Sequence, residues 1–330
     1  RDLLSFPTRR SSDLIRAIRQ AVDCELEFFV HGALCVCYSG QCYMSEAIEG
    51  RSANRGACIQ ACRSLYDLVD GNGKTLVKDK ALLSLKDYNL LGRLEDLAET
   101  GICSFKIEGR LKNISYVRNV VRAYSVALDE LVRKHPECYR RASFGRVEGG
   151  FKPDLGKTFN RGYTELFLDG RRGRWSSMDA PKSVGEPIGT VTAIRQGDPR
   201  AKNIAYPKSA GSMQVFVALD NPATVLRNGD GFSFISKGHN SIVGFRGDTC
   251  RGAMINTKVV PDLYVGAKLY RNLDTAFEKE MEANLPKRLI PVEVHCSVRT
   301  APEYLIIVNA GSQDGRTVQF ELEAGNQEAK

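Results

Sequence analysis

Apolar and polar positions follow two different rhythms along this 330-residue chain. The first rhythm belongs to helices and buried strands. Leu14, Ile15, Ile18, Ala21 and Val22 recur at helical spacing and predict a helix over 14–22. Glu25–Leu34 is a short, nearly continuous apolar run, the pattern of a strand covered on both faces, and Gly32 near its end permits close backbone approach. Residues 35–63 show no periodicity and are too long for an ordinary connection, so they read as a functional loop held by something. Asp70-Gly71-Asn72-Gly73 marks a hairpin turn. Leu82–Leu85 reads as a strand, and Asp87 as the start of a helix whose apolar face is Leu90, Leu91, Leu94 and Leu97, with Gly101 ending it. Cys103–Ile107 is a second buried strand. In the helix that follows, Ile114, Val117, Val120, Val121, Tyr124, Leu128 and Leu131 form an apolar stripe, with Arg118, Arg122 and Asp129 facing out, up to His135-Pro136.

The second rhythm begins at Val184. Short β-rich runs at 188–194, 213–219, 231–235, 241–245, 253–259 and 267–269 are separated by turn residues, which predicts a small barrel or sandwich. A helix at Thr275–Ala283 closes it, and further strand patterns lie at 292–298 and 304–310. The expected architecture is therefore α/β plus all-β. Residues 15–140 read as the C-terminal part of a TIM-like (β/α) barrel, 141–183 as a polar connector, 184–285 as a small β-barrel, and 286–330 as the start of a third β-rich segment. Two or three βα units fall short of the eight that occupy about 250 residues, so a barrel truncated at its N-terminus is expected. Residues 1–14, Arg/Ser-rich and aperiodic around Pro7, read as a foreign or disordered stretch that packs poorly.

Composition narrows the function classes. No apolar run approaches the roughly 20 residues of a membrane span, and no secretory signal pattern is visible, so a cytoplasmic protein without a membrane partner is expected. In a reducing compartment a dense cysteine pattern points to metal binding or catalysis rather than disulfides. The net charge is +8, and Arg140, Arg141, Arg146, Arg161, Arg171, Arg172 and Arg174 crowd one stretch, which reads as a nucleic-acid-facing strip or as a solvated surface.

Five of the ten cysteines lie in the loop. Cys35, Cys42, Cys58 and Cys62 are separated by six, fifteen and three residues, with Cys37 as a spare beside Cys35. Structural zinc favours short paired knuckles at both ends, and only the Cys58/Cys62 pair is that close, so the spacing suits a 4Fe–4S cluster while leaving zinc and free cysteines open. Arg51, Arg55 and Arg63 flank the thiols and could stabilise an anionic cluster or hold an anionic substrate. Glu108 and Arg110 stand at the end of a buried strand, where ligand groups gather in α/β folds; an Arg–Glu surface pair is the plainer reading. A Cys–His nucleophile pair, His31 with Cys35 or Cys37, is a further alternative. No G-x-S-x-G, H-E-x-x-H or P-loop motif is present.

These residues carry a resemblance. Glu27-Phe-Phe-Val-His-Gly-Ala-Leu-Cys35, followed by Gly40-Gln-Cys42 and Ser45, is similar to the signature of peptidase family U-32, the collagenase-like family. Asn54–Arg63, Phe105–Lys112 and Thr158–Thr164 resemble further blocks of its long branch. The resemblance implies RNA hydroxylation: 5-hydroxycytidine in large-subunit ribosomal RNA for the long branch, 5-hydroxyuridine at the tRNA wobble position for another; a collagenase-like peptidase is the alternative. It also implies prephenate as co-substrate, an iron–sulfur cluster on Cys35, Cys42, Cys58 and Cys62, and a complete N-terminal barrel. Arg55, Arg63 and Arg110 are the candidates for holding prephenate carboxylates.

Overall fold

The computed structural model describes residues 11–170, 175–178, 181–197, 211–238, 241–300, 305–313 and 315–323. It divides into two units, Arg1–Asp129 with Pro153–Glu280 and Glu130–Lys152 with Met281–Lys330.

In chain order the first unit starts with α1 (Ser11–Ala21), β1 (Glu27–Ala33) and α2 (Met44–Glu49), then β2 (Tyr66–Val69), β3 (Thr75–Leu85), β4 (Asp87–Asn89), α3 (Leu94–Ala98), β5 (Ser104–Ile107) and α4 (Ile114–Lys134). Ser11–Leu14, set apart by the sequence as part of a foreign stretch, is the first turn of α1: Ser11 N donates to Leu168 O at 3.0 Å, and its hydroxyl donates to Phe167 O. Residues 1–10 lie outside the described residues. β1 is central. It runs parallel to β5 and antiparallel to β4, and Val30, His31 and Gly32 are all buried, as a strand covered on both faces requires.

A second correction concerns Asp87. The leucine spacing suggested a helix from this residue, but Asp87–Asn89 is a strand laddered to Ala33–His31, and the helical turns begin only at Leu91. The reason is electrostatic. The Asp87 carboxylate is buried against Arg161, accepting from its Nη1 at 2.8 Å and its backbone N at 2.9 Å. That pairing commits the segment to the sheet through β7 (Tyr163–Thr164), which runs parallel to β4. The resulting order is β5-β1-β4-β7, a mixed four-stranded sheet.

The apolar stripe of α4 is also rotated from the expected one. Tyr116, Val120, Ala123, Tyr124 and Leu131 are buried, whereas Ile114, Val117 and Val121 are exposed. Asn119 explains the shift. It sits fully buried because its amide donates to Asp154 O and Thr158 Oγ1 and accepts from Asp154 N, so a polar residue occupies the inner face. Asn113 caps the helix by accepting from Tyr116 N at 3.0 Å.

After β6 (Arg146–Glu148), β7 and β8 (Ser176–Met178), the chain forms β9 (Glu186–Gln196), β10 (Ser212–Leu219), β11 (Gly231–Ile235), β12 (Ile242–Arg246), β13 (Thr249–Arg251), β14 (Met254–Lys258) and β15 (Lys268–Leu273), followed by α5 (Thr275–Ala283). These seven strands make one antiparallel sheet, in the order β12-β11-β15-β9-β10-β14-β13. Alternate inward residues, among them Ile188, Val191, Val215, Phe232, Phe234, Ile255 and Leu269, form its core. Within the first unit this sheet is joined to the α/β part by Lys157, whose ammonium lies 2.7 Å from the Asp274 carboxylate, and by the Ser115 hydroxyl donating to Glu278.

In the second unit β6 pairs with β16 (Lys287–Leu289), and β17 (Val292–Arg299), β18 (Leu305–Ser312) and β19 (Thr317–Glu323) form an antiparallel meander. Among the described residues no helix is long and apolar enough to cross a membrane.

Candidate metal-binding loop

The cysteine loop leaves β1 at Leu34 and rejoins regular structure at β2. Its conformation is fixed less by apolar packing than by a few polar side chains. The Arg63 guanidinium is the principal one: Nη2 donates to Leu34 O at 2.7 Å, and Nη1 donates to Ser84 Oγ at 2.9 Å and to Leu85 O. Leu34 precedes Cys35 and Arg63 follows Cys62, so one side chain draws together the two ends of the loop and anchors both to the end of β3. Inside the loop, Asn54 Oδ1 accepts from Cys42 N at 3.1 Å. The buried Ser45 hydroxyl accepts from Ile59 N at 3.3 Å, which ties the Cys42 segment to the Cys58 segment. Between Cys58 and Cys62 the chain turns sharply at Gln60, a non-glycine residue at φ 57°, and Gln60 N donates to Cys58 Sγ.

All ten cysteines are free thiols. Among the described residues no three Cys, His, Asp or Glu side chains are arranged to hold a single metal ion. The four thiols are nevertheless near enough to influence one another. Burial raises the Cys62 thiol, the Arg63 guanidinium beside it acts in the opposite sense, and Cys35, Cys58 and Cys42 push it up again. Cys37 is raised by desolvation and by the thiols of Cys42 and Cys35, so it belongs to the same group in space. The thiols of the loop therefore face one region of it.

The other predicted residues separate. Arg55 is exposed with no side-chain partner among the described residues, and Arg51 meets Glu49 at 3.7 Å on the surface. Arg110 is exposed, and its backbone N donates to Glu108 Oε1 at 3.0 Å, so Glu108 caps its own turn instead of pairing with a guanidinium. Glu108 still matters to the loop. Its backbone N donates to His31 O at 2.8 Å, directly against Gly32. At φ +129° a Cβ on Gly32 would lie 2.7 Å from Glu108 O. Gly32→Ala is therefore expected to destabilise the protein by at least about 2 kcal/mol, from strained backbone plus a backbone clash. A urea unfolding midpoint unchanged from the parent would contradict this.

His31 is not placed as a base for a cysteine nucleophile. It is fully buried, ringed by Tyr116, Tyr124 and Tyr163, with Nδ1 3.4 Å from the Tyr124 hydroxyl. Burial pushes it down to about 4, opposed in part by Asn89.

The basic stretch divides as well. Arg161 is spent in the buried pair with Asp87, Arg146 meets Glu148 at 2.7 Å, and Arg171, Arg172 and Arg174 lie outside the described residues. Periodicity and charge counting missed Ser45, Asn54 and Lys112, although all three lie in the short blocks that carry the family resemblance, and they gave Asp87 only as a helix start. Lys112 sits behind the loop, its ammonium 3.2 Å from the centroid of Phe159.

A glycine-apposed strand here feeds a cysteine loop closed by an arginine. The chain belongs to peptidase family U32, whose model matches residues 10–177. Within it, the chain is 37% identical over 326 residues to the 23S rRNA 5-hydroxycytidine C2501 synthase of Escherichia coli K12, a match covering 96% of this chain and 46% of that protein. It is 35% identical to tRNA hydroxylation protein P1 of Bacillus subtilis, over 54% of this chain and 42% of that one. It is also 35% identical to a collagenase of Porphyromonas gingivalis, over 46% of this chain and 40% of that one. The chain thus spans less than half the length of these relatives. No solved structure matches it.

Proposed function

We propose that this chain is part of an RNA-modifying enzyme that hydroxylates a pyrimidine, with cytidine in large-subunit ribosomal RNA as its substrate, prephenate as co-substrate and the cytoplasm as its place of action. The similarity to the ribosomal RNA 5-hydroxycytidine synthase runs across nearly the whole chain, including the seven-stranded sheet, whereas the tRNA and collagenase similarities cover about half. That extent is the observation that carries the reading. In the proposal Cys35, Cys42, Cys58 and Cys62 hold a 4Fe–4S cluster, with Cys37 beside it. The donor set fits such a group: four thiols that influence one another, with the cationic Arg63 next to the last. Such a cluster supplies one-electron chemistry and an anionic surface of its own. The chain's residues would supply the rest: Arg63 closes the loop, Ser45 and Asn54 set its internal shape, and Glu108 and Gly32 fix its root.

The collagenase reading finds no support in the site, because His31 is buried and unprotonated at neutral pH and faces tyrosines. The experiment is nucleoside mass spectrometry of ribosomal RNA and tRNA from a strain lacking the gene. Loss of 5-hydroxycytidine from the large-subunit RNA, restored by the intact gene and not by a Cys62→Ser version, is expected. Unchanged hydroxylated nucleosides in both RNAs would overturn the proposal.

A further inference from the structure

Behind the loop three cations meet one carboxylate. Arg161 and Asp87 form a fully buried pair. Arg63 is turned inward, but its acceptors are Leu34 O, Leu85 O and Ser84 Oγ, all neutral. Lys112 is half-buried on the face of Phe159, with Tyr116 at 5.8 Å, and its ammonium has no hydrogen bond or carboxylate partner among the described residues. Arg161 stacks on the same Phe159 ring, its guanidinium carbon 4.8 Å from the centroid. The charges acting on Lys112 are Arg161, Asp87 and Arg63, so three positive groups share a single negative one.

A desolvated ammonium without an anion is costly. Desolvation first, then Arg161, brings Lys112 down to about 8. An aromatic face offsets only part of that cost, roughly 1–2 kcal/mol. Arg161 is paired with Asp87 and Arg63 lies beside Cys62, so the half-buried Lys112 ammonium is the charge without an anion among the described residues, which matches a single carboxylate better than an RNA backbone, whose phosphates need an exposed basic track.

We infer that Lys112, with Arg63 and Arg161 behind it, forms the binding site for a carboxylate group of a small organic anion, next to the cysteine loop. For the identity of that anion as prephenate the inference rests on the functional reading above. The site itself rests on the cation cluster alone. It also transfers the anion-holding role away from Arg55 and Arg110, which are exposed on the surface.

The test is lysine labelling of the whole chain by an acetylating reagent at pH 8, read by mass spectrometry with and without millimolar prephenate, malonate, inorganic phosphate or a ribosomal RNA fragment. Prephenate or malonate is expected to slow acetylation of Lys112 by at least about fivefold while leaving exposed Lys106 unchanged. Calorimetric binding of the protecting anion should weaken at least about tenfold in Lys112→Met, and far less in Lys112→Arg, which keeps the charge. Protection by malonate but not prephenate would retain the carboxylate site and remove prephenate as its ligand. Protection by RNA or phosphate alone, or by none of the four, would overturn the inference.

Discussion

Arg63→Ala is expected to abolish cluster retention by the cysteine loop while leaving the seven-stranded sheet folded. The substitution removes three hydrogen bonds at once and leaves Leu34 O, Leu85 O and Ser84 Oγ without their donor. Each such loss costs on the order of 1–3 kcal/mol where the group stays buried. The loop has little apolar packing to fall back on, since Cys35 and Cys58 are exposed and Cys37, Cys42 and Cys62 only half-buried. The loss therefore falls on the approach of Leu34 to Arg63, which sets the spacing of Cys35 and Cys62. Arg63→Lys should recover little, because one ammonium cannot reproduce a fork that reaches two carbonyls and a hydroxyl on separate segments. Arg55→Ala, on the surface of the same loop, should keep its iron. Iron content and visible absorbance of the three variants decide the matter; retention of iron in Arg63→Ala at the Arg55→Ala level would contradict this account of the loop.

The second large effect is expected at Asp87. Asp87→Asn leaves the Arg161 guanidinium buried, at 6% side-chain exposure, without its counter-charge. Breaking one side of a buried ion pair costs about 3–5 kcal/mol, which for a unit of this size lowers the melting temperature by roughly 10 °C. The damage should spread beyond the pair, because Asp87 is also the only carboxylate among the described residues that acts on Lys112. Circular dichroism melting measures it, and a shift under 2 °C would show that the pair is not needed for the β4–β7 junction. Replacing both partners, as in Asp87→Leu with Arg161→Met, should recover part of the loss, since no unpaired charge then remains.

Both predictions depend on residues whose roles are hard to read from spacing. The strand at 231–235 was legible because turn residues bound its apolar alternation, and the helix at Thr275–Ala283 because Phe277 and Met281 recur four residues apart. The loop was legible as an irregular stretch because residues 35–63 carry no apolar periodicity. Asp87 was misread as a helix start because the leucines after it do recur at helical spacing; the residue that overrules them, Arg161, lies 74 positions away. Asn119 hid the true face of α4 for a similar reason: a polar residue reads as outward unless its partners, Asp154 and Thr158, are known. Arg63 was legible as a charge near thiols, but its role as the clasp between Leu34 and β3 exists only in three dimensions. Lys112 carried no local signal except its place at the end of the Phe105–Lys112 block. Of the parallel barrel expected from the βα rhythm, the described residues show the parallel pairs β1–β5 and β4–β7, within a sheet made mixed by the antiparallel β1–β4 pair.

The central claim is that four cysteines in this clasped loop hold an iron–sulfur cluster. It is tested most directly by iron and acid-labile sulfide analysis of the chain purified without oxygen, beside a variant with Cys35, Cys42, Cys58 and Cys62 all changed to Ala. The account predicts about four iron and four sulfide per chain in the parent and neither in the variant. One zinc per chain without sulfide, or iron that survives loss of all four cysteines, would contradict it.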